Sequence, residues 1–317
     1  MSDLVMVTGA SGYIGGQTVL NLKDSDVAVI GIDVRPLPDH LSNFCNRFYQ
    51  MDFANDFILD LLEKFNPKAI IHCAGTSLVG PSIANPENYY DNNFVKTKRM
   101  LDRLVKHGIQ SRVIFSSSAA VYGNPVMTPC SEVDSRLPVS PYGESKLMIE
   151  MALNSYHRAY KLDYVSFRYF NACGADPKKR HGQADGATHI IARVLESMRD
   201  NKLFTLNGDS YPTADGTCIR DYIHVDDLAR AHVMAMSQEI PQGVYNLGTS
   251  TGYSNKEIIA IAEKITNITL NYKIGPQREG DPAVLTAASD QFTSISAWVP
   301  KYNIDEIISH AWAWYKK

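Results

Sequence analysis

The chain has 317 residues, enough for one large α/β domain or for two domains that share an interface. Its 31 Lys and Arg residues against 34 Asp and Glu give a formal net charge of -3, which argues against nucleic acid or an anionic membrane surface as a partner. The five scattered cysteines form no C-x-x-C pair and favour a reducing cytoplasm, and no apolar stretch approaches the roughly 18 residues that span a bilayer.

Short apolar runs that end in Gly, Asp or Ser predict buried parallel strands. These runs are LVMVTGASG, VAVIGIDV, AIIHCAG, RVIFSSS and YVSFRYFNACG. Polar segments with helical spacing lie between them, for example at 58–65 and 90–107. This β-α-β alternation over about the first 170 residues predicts an α/β fold with a doubly wound parallel (Rossmann) sheet.

Polar, turn-rich stretches follow Gly174 and predict a smaller C-terminal α/β domain that binds the substrate. We expect residues 1–172 to form the dinucleotide-binding domain and residues 173–317 to form this second domain. Two core-like segments, RDYIHVDDLARAH and GVYNLGTS, interrupt the polar texture. Residues of about 219–249 are therefore expected to return in part to the first domain.

A glycine-rich loop, VMVTGASGYIGGQTV, connects the first predicted strand to the first helix. Glycine lets the backbone turn tightly and approach a pyrophosphate, whose charge is stabilised by the free N–H groups at the helix start. The residues predicted to bind the cofactor here are Gly9, Gly12, Tyr13, Ile14 and Gly15.

Asp33 ends the second predicted strand, 18 residues after Gly15. A carboxylate at this position accepts hydrogen bonds from both ribose hydroxyls and repels a 2'-phosphate. The pattern predicts NAD rather than NADP, with Arg35 as the neighbouring feature that argues the other way.

Two later strand ends are also expected at the cofactor. Asp52 and Phe53 follow the third predicted strand and would meet the adenine, and the turn Cys73, Ala74 and Gly75 would pass under the phosphates. Simple termination of the strands explains these residues equally well.

Tyr142 and Lys146 lie one helical turn apart in SPYGESKLMIEM, on a face that is otherwise apolar. Taken alone, this spacing is more typical of a core tyrosine and a lysine whose ammonium reaches water. Ser118, however, ends the fifth predicted strand, and ligands of doubly wound sheets bind beyond the carboxyl ends of the strands. Ser118, Tyr142 and Lys146 are therefore the predicted catalytic group.

The chemistry predicted for this group is proton transfer coupled to hydride transfer. Lys146 would bind the ribose hydroxyls of the cofactor and, together with the nicotinamide charge, lower the pKa of Tyr142. The phenolate would then act as a base near neutral pH, while Ser118 holds or relays the proton of a substrate hydroxyl.

Ordered motifs run along nearly the whole chain: TGASGYIG, YYDNN, IFSSSAAVYG, SPYGESK, RYFNACGA, YPTADGTCIRDYIHVDDLARAH, YNLGTSTG, REGDPA and AWVPKY. Together they resemble the UDP-glucose 4-epimerases of the extended short-chain dehydrogenase/reductase superfamily. The resemblance implies an NAD-dependent isomerase that inverts carbon 4 of UDP-glucose or UDP-galactose through a transient 4-keto sugar. It also implies a cytoplasmic homodimer whose interface contains the Tyr142 helix and the helix at 90–107.

The resemblance assigns further site residues. It implies Asn93 in the cofactor site, and around the nucleotide diphosphate and its ribose it implies Asn171, Arg220, Arg278 and Asp281. Arginines fork onto phosphate oxygens, and a carboxylate accepts from ribose hydroxyls. His189 occupies a substrate-helix position, where a structural histidine is the more common interpretation.

Three positions depart from the pattern of these epimerases. Val284 stands near a position that is a bulky tyrosine in relatives restricted to glucose and galactose, which leaves UDP-N-acetylhexosamines open as further substrates. Asn207 replaces an aromatic residue that stacks on uracil, a role that Phe204 would take over. Ser77 replaces a lysine near the cofactor, so NAD is expected to be held less tightly.

Related enzymes that dehydrate or decarboxylate the 4-keto sugar resemble one another in carrying acidic residues where this chain has Ala119 and Ala120. Without a group to move the next proton, the chemistry should stop at the ketone and reverse. Two alternatives stay open: a 4-epimerase of another nucleotide sugar such as UDP-glucuronate and, more remotely, a non-catalytic NAD-sensing protein on the same fold.

Overall fold

The computed structural model describes residues 3–277 and 281–316. The strands are β1 (Leu4–Thr8), β2 (Ala28–Asp33), β3 (Arg47–Gln50), β4 (Ala69–His72), β5 (Arg112–Ser118), β6 (Tyr164–Tyr169), β7 (Asn171–Cys173), β8 (Phe204–Asn207), β9 (Ile219–His224), β10 (Gly243–Leu247), β11 (Gly252–Ser254), β12 (Tyr272–Gly275) and β13 (Val284–Leu285). The helices are α1 (Tyr13–Asp24), α2 (Phe57–Phe65), α3 (Val79–Ala84), α4 (Pro86–Tyr89), α5 (Lys96–Lys106), α6 (Pro141–Tyr160), α7 (Ile190–Arg199), α8 (Val225–Met234), α9 (Asn255–Thr266), α10 (Asp290–Ile295) and α11 (Ile304–Tyr315). Within those ranges, no helix has the combined length and apolarity that crossing a bilayer requires.

The main sheet has seven parallel strands in the order β3-β2-β1-β4-β5-β6-β10. From β1 the chain adds β2 and β3 on one side, and then returns to add β4, β5, β6 and β10 on the other side. The boundary between β1 and β4 is the switch point at which doubly wound sheets bind ligands. The predicted α/β class and parallel sheet are confirmed.

Side chains that alternate along the strands build a separate core on each face of this sheet. On one face, Val5 and Val7 pack with α1 and α8. On the other face, Met6 packs in a core that includes residues of α2, α5 and α6. Because both faces are covered, the strands read as continuous apolar runs rather than as alternating patterns.

A second group of strands is centred on β9, which pairs with β7, β11 and β13. A separate pair joins β8 to β12, and the helices α7, α9 and α11 pack around a shared core. Between these elements the chain returns to the main sheet, where β10 pairs with β6. The helix α8 lies on α1, where Gln17 and Asn21 both donate to Asp226 Oδ1 (3.1 and 3.0 Å).

The helix α6 begins where the sequence signals it. Ser140 caps it by accepting a hydrogen bond from Gly143 N (3.2 Å), and Pro141 occupies its first turn, where a missing N–H costs nothing. The segment predicted as one helix at 90–107 differs from expectation. It begins as a π-helical turn, Tyr90–Val95, and continues as α5. Such wider turns are frequent at functional sites.

Candidate active site

The carboxyl edge of the main sheet gathers most of the predicted site residues. Gly9 follows β1, Asp33 ends β2, Asp52 and Phe53 follow β3, Cys73, Ala74 and Gly75 follow β4, Ser118 ends β5, and Asn171 follows β6. Residues far apart in the chain therefore line one edge that contains the switch point between β1 and β4.

At two glycines of the glycine-rich loop, the neighbouring backbone leaves no room for a side chain. Gly9 has φ +75°, and a Cβ there would lie 2.7 Å from Ala74 N. A Cβ on Gly15 would lie 2.1 Å from Gly9 O, so this glycine lets α1 contact the loop. Gly12 caps α1 and brings no side chain to the first-turn N–H groups. This cradle fits a pyrophosphate, because free N–H groups at a helix start bind anions.

Tyr13 and Ile14, the first residues of α1, also have contacts away from the loop. The Tyr13 hydroxyl donates to Gly174 O (2.7 Å), and Ile14 packs against the core beneath the sheet. Their side chains anchor α1, so their predicted cofactor contacts would come from the backbone.

Asp33 is buried, and its carboxylate is oriented by the neighbouring backbone. Oδ2 accepts from Ser11 N (3.0 Å) and Oδ1 accepts from Arg35 N (2.9 Å). The Arg35 guanidinium also reaches Oδ1 (3.4 Å) while most of its side chain stays exposed. The Asp33 carboxylate is therefore held next to the glycine loop, and the Arg35 guanidinium lies on its solvent side.

Asp52 is joined to a cation that the sequence analysis missed. Lys96 Nζ donates to Asp52 Oδ2 (2.7 Å) and to Asn92 Oδ1 (3.1 Å). Burial raises the pKa of the Asp52 carboxyl, but the hydrogen bonds from Lys96 and Ala54 N outweigh it and lower the pKa below its usual value. Phe53 lies beneath, with its ring centroid 4.7 Å from that of His72.

The turn after β4 is pinned to the π-helical segment. Asn93 accepts from Thr76 N (2.7 Å), donates to Thr76 O (3.0 Å), and also donates to Ser145 Oγ on α6 (3.0 Å). A Cβ on Gly75 would lie 3.0 Å from Asn93 Oδ1 and 3.8 Å from Lys146 Nζ. Backbone at Gly75 thus approaches the predicted catalytic lysine, and Asn93 holds it there.

Cys73 begins this turn and is half-buried. It accepts a hydrogen bond from Ser116 Oγ (3.2 Å), and burial raises the pKa of its thiol to about 11. The thiol is therefore neutral and acts as a packing residue beside Lys146.

The predicted catalytic residues meet beyond β5. Ser118 Oγ accepts from Ala120 N (3.1 Å), and the Ser118 hydroxyl lies beside the Tyr142 phenol. Tyr142 is only 9 % exposed, so burial raises the pKa of its phenol, and the neighbouring Ser118 hydroxyl opposes that rise without cancelling it. The protein's own residues thus raise the pKa of Tyr142, and the predicted lowering depends on the nicotinamide charge that a bound cofactor would add.

Lys146 is buried, and its ammonium lies against β5. Nζ donates to Ser116 O (2.8 Å) and lies 4.8 Å from the centroid of the Phe115 ring and 5.8 Å from that of Tyr142. Burial lowers the pKa of Lys146 to about 8. Among the described residues, Ser116 O is the one hydrogen-bond acceptor for this ammonium, so two N–H bonds of a charged lysine remain for a ligand.

Three of the four residues assigned to the nucleotide diphosphate and its ribose lie in or beside β9, as does Val284 of the predicted sugar pocket. Asn171 Nδ2 donates to Asp221 O (3.0 Å), and Val284 pairs with Ile219 across β13 and β9. Arg220 forms an ion pair with Asp281. Arg278, the second predicted arginine, lies outside the described residues.

Three other predicted substrate residues lie apart from this group. His189 caps α7 by accepting from Ala192 N (3.5 Å), and burial lowers its pKa to about 4. Asn207 ends β8. The structure contradicts the stacking role of Phe204, because the residue is 3 % exposed in the core and the Arg193 guanidinium lies 5.0 Å from its ring centroid.

The arrangement as a whole joins a dinucleotide cradle to a proton-transfer group. The cradle has an anion-binding helix start and a fixed carboxylate, and the proton-transfer group has a phenol, a hydroxyl and an ammonium within one buried corner. Such a site can hold a nucleotide cofactor while moving a proton to or from a substrate hydroxyl.

Comparison with known proteins gives full-length matches. Residues 5–248 match the NAD dependent epimerase/dehydratase family. The UDP-glucose 4-epimerase of Halalkalibacterium halodurans is 40 % identical over 321 aligned residues, covering 99 % of this chain and 96 % of that protein.

Solved structures agree with these sequence matches. The UDP-glucose 4-epimerase from Brucella ovis in complex with NAD superposes with a TM-score of 0.93 at 36 % identity, covering 98 % of each chain. The enzyme from Bifidobacterium longum in complex with NAD+ and UDP superposes with a TM-score of 0.92 at 33 % identity, covering 99 % of this chain and 98 % of that chain.

Proposed function

The chain belongs to the NAD dependent epimerase/dehydratase family, and from this membership we propose that it is a UDP-glucose 4-epimerase that interconverts UDP-glucose and UDP-galactose. It inverts carbon 4 of the hexose through a transient 4-keto sugar, with NAD as cofactor. The observation that carries this proposal is the buried Ser118–Tyr142 contact, one helical turn from Lys146, at the sheet edge that holds the glycine loop.

The residues present fit NAD. The first-turn N–H groups of α1 would take the pyrophosphate, Asp33 the adenosine ribose, Asp52 and Phe53 the adenine, and Lys146 the nicotinamide ribose. When bound, the nicotinamide supplies a hydride acceptor and donor for carbon 4, together with a positive charge. Asn93 and Gly75 would shape the backbone that the dinucleotide passes, because Asn93 holds the turn close to Lys146.

Tyr142 and Ser118 move the proton. With the positive charge of the bound nicotinamide and Lys146 nearby, Tyr142 would act as the phenolate, which takes the proton of the sugar 4-hydroxyl, directly or through Ser118 Oγ, as carbon 4 is oxidised. The phenol formed in this way returns the proton when the ketone is reduced. Ser118 already lies beside the phenol, so the two groups that would relay the proton are neighbours before substrate binds. Ala119 and Ala120 follow Ser118 without an acid or base, so no further proton is moved and the reaction reverses at the ketone.

The UDP moiety anchors the substrate while the sugar turns. Arg220, with Arg278, would bind the diphosphate, and Asn171 and Asp281 would bind the nucleotide. Arg220 and Asp281 are paired with each other before substrate arrives, so binding must exchange their ion pair for ligand contacts. A sugar held through its nucleotide can present either face of the ketone to the hydride donor.

The substrate range is set beside β13. Val284 is only partly buried, and its small side chain leaves room for an N-acetyl group at sugar carbon 2. We therefore extend the proposal to UDP-N-acetylhexosamines.

To test this proposal, purified protein is incubated separately with UDP-galactose, UDP-N-acetylgalactosamine and UDP-glucuronate, with and without added NAD. The anomeric protons of the sugars are followed by NMR. We expect the first two to reach equilibrium mixtures with their carbon 4 epimers. Conversion of UDP-glucuronate alone would replace the proposal by the glucuronate alternative, and binding of NAD without turnover of any sugar would identify a non-catalytic sensor.

Asp33→Asn is expected to reverse part of the cofactor preference. The wild type should bind NAD at least about tenfold more tightly than NADP, and the variant should lose most of that ratio, because the charge that repels a 2'-phosphate is gone and Arg35 loses its ionic partner. Isothermal titration of protein stripped of nucleotide measures both dissociation constants. Asp39→Asn removes an exposed carboxylate six residues later and should leave the ratio unchanged; an unchanged ratio in Asp33→Asn as well would remove Asp33 from the cofactor site.

We also propose a division into two domains. Residues 1–172 form the NAD-binding domain and residues 173–317 form the nucleotide-sugar-binding domain, with α8 and β10 returning to the first domain.

We further propose a cellular location and an oligomeric state. The protein is cytoplasmic, in keeping with its five free cysteines, and cell fractionation checks this placement. It forms a homodimer through α5 and α6, where Met151 and Tyr160 are exposed, and a sedimentation mass of a single 35.3 kDa chain would contradict the dimer.

A further inference from the structure

A buried ion pair lies directly behind the proposed proton-transfer group. Arg168 on β6 forks onto Glu150 of α6, with Nε 3.0 Å from Oε1 and Nη2 2.7 Å from Oε2. The side chains are 0 % and 3 % exposed, so neither charge is stabilised by bulk water. Two ions are rarely buried this completely unless each is fully hydrogen-bonded.

The other hydrogen bonds of this pair lead to the elements that carry the proposed catalytic residues. Ser117, next to Ser118 on β5, donates to Glu150 Oε1 (2.5 Å). Arg168 Nη1 donates to the hydroxyl of Tyr122 (2.8 Å), which ends the short helical turn Ala119–Tyr122 after Ser118. Glu150 itself lies one helical turn beyond Lys146 on α6.

The network extends to the second half of the chain. The Tyr122 hydroxyl donates to Asn246 Oδ1 (2.7 Å) on β10, and Asn246 Nδ2 donates to Cys130 O (2.9 Å). Every member is satisfied by another member, so a displacement of one element would leave a buried polar group unpaired. Such networks restrict a structure to one arrangement more strongly than apolar packing does.

We propose that Glu150 and Arg168 form a positioning unit, which holds the end of β5 and the first turns of α6 at the separation that keeps Ser118 beside the Tyr142 phenol. Neither residue touches the substrate or cofactor. Their effect is exerted through Ser117 and Tyr122, which flank Ser118 on both sides, and through the shared helix of Glu150, Lys146 and Tyr142. The inference rests on the proposed epimerase function, and it gives a role to Arg168, the first residue of RYFNACGA, and to Glu150, to which the sequence analysis assigned none.

The test separates positioning from stability. Removing one partner of a buried pair leaves an uncompensated charge and destabilises a protein, whereas replacing both partners by apolar residues of similar volume is often neutral. We therefore compare Arg168→Met, Glu150→Leu and the double variant Glu150→Leu/Arg168→Met by thermal unfolding and by UDP-galactose epimerisation well below the unfolding temperature.

A matched control comes from the other end of the same strand. Arg112, the first residue of β5, is also a buried arginine, and its guanidinium donates to Ser237 O and Ile240 O, away from Ser118. Arg112→Met removes an equivalent buried cation from the same strand without touching the positioning unit.

We expect both single variants and Arg112→Met to unfold at lower temperature, and the double variant to recover stability relative to the singles. In the double variant kcat should remain at least about tenfold below wild type with KM changed by less than about threefold, because the loss is one of geometry in the reacting complex. Arg112→Met should keep the wild-type kcat. Recovery of kcat together with stability in the double variant, or an equal loss in Arg112→Met, would overturn the proposal.

A second readout keeps the test decisive if the wild type itself turns over no UDP-sugar, which would refute the proposed function. Hydrogen exchange of the backbone amides at 119–122 and 142–146 reports the positioning directly. We expect faster exchange in both segments of the double variant and no change there in Arg112→Met. Unchanged exchange in the double variant would show that the ion pair holds neither element.

Discussion

Tyr142→Phe is expected to lower kcat by about 10³-fold while the protein stays folded and retains its capacity for NAD, since general acid–base catalysis contributes about 10²–10⁴-fold. The variant keeps the buried ring, which packs edge to face against Tyr89, and loses only the hydroxyl that meets Ser118. Turnover is measured by NMR with UDP-galactose, and NAD affinity by titration.

Tyr156→Phe is the matched control for this variant. Tyr156 lies further along α6, where its hydroxyl contacts Asp102 on α5. Its removal costs one partly exposed hydrogen bond and should leave kcat unchanged. Wild-type turnover in Tyr142→Phe would refute the assignment of the proton to this phenol, and an equal loss in both variants would point to disruption of α6 instead.

Gly15→Ala is expected to weaken NAD binding by at least about 100-fold, which corresponds to about 2.7 kcal/mol. The added Cβ would lie 2.1 Å from Gly9 O, so α1 must move away from the loop that would hold the pyrophosphate. Loop and helix start then lose the geometry in which several N–H groups meet one anion. Calorimetric titration of stripped protein gives the dissociation constant, and circular dichroism verifies the fold.

Two other glycines calibrate this effect. Gly12→Ala places its Cβ 3.1 Å from Gly9 O and should cause a smaller loss, whereas Gly80→Ala on α3 meets nothing within 4 Å and should cause none. A graded response in the order Gly80, Gly12, Gly15 is the expected result. If Gly15→Ala bound NAD as tightly as the wild type, the glycine loop would not be the pyrophosphate site.

Structural features that depend only on residues close together in the sequence were predictable. The glycine spacing at Gly9, Gly12 and Gly15, the carboxylate that ends β2, and the helix start at Ser140 and Pro141 each follow from the conformational preferences of neighbouring residues. Parallel strands were predictable for a related reason, because a strand buried on both faces must be apolar throughout. These patterns were enough to predict the fold and to propose the group formed by Ser118, Tyr142 and Lys146.

Local sequence was less informative where burial or wider packing decides the surroundings of a side chain. Lys146 and the nicotinamide charge together are predicted to lower the pKa of Tyr142, but burial among the protein's own residues raises that pKa, and the ammonium of Lys146 donates to Ser116 O. Phe204 was expected to offer a stacking face, but it is enclosed in the core beneath Arg193. In both cases the side chain's neighbours come from distant segments, which a local pattern does not reveal.

Local sequence thus specifies which backbone shapes and reactive groups this protein has, because turns, caps and helical spacing depend on residues a few positions apart. The three-dimensional fold specifies which groups become partners. Arg168 with Glu150, Lys96 with Asp52 and Arg220 with Asp281 are ion pairs whose members lie 18, 44 and 61 positions apart. Their pairing depends on which strands and helices become neighbours, and a charge gains a partner only where the fold places one within hydrogen-bonding distance.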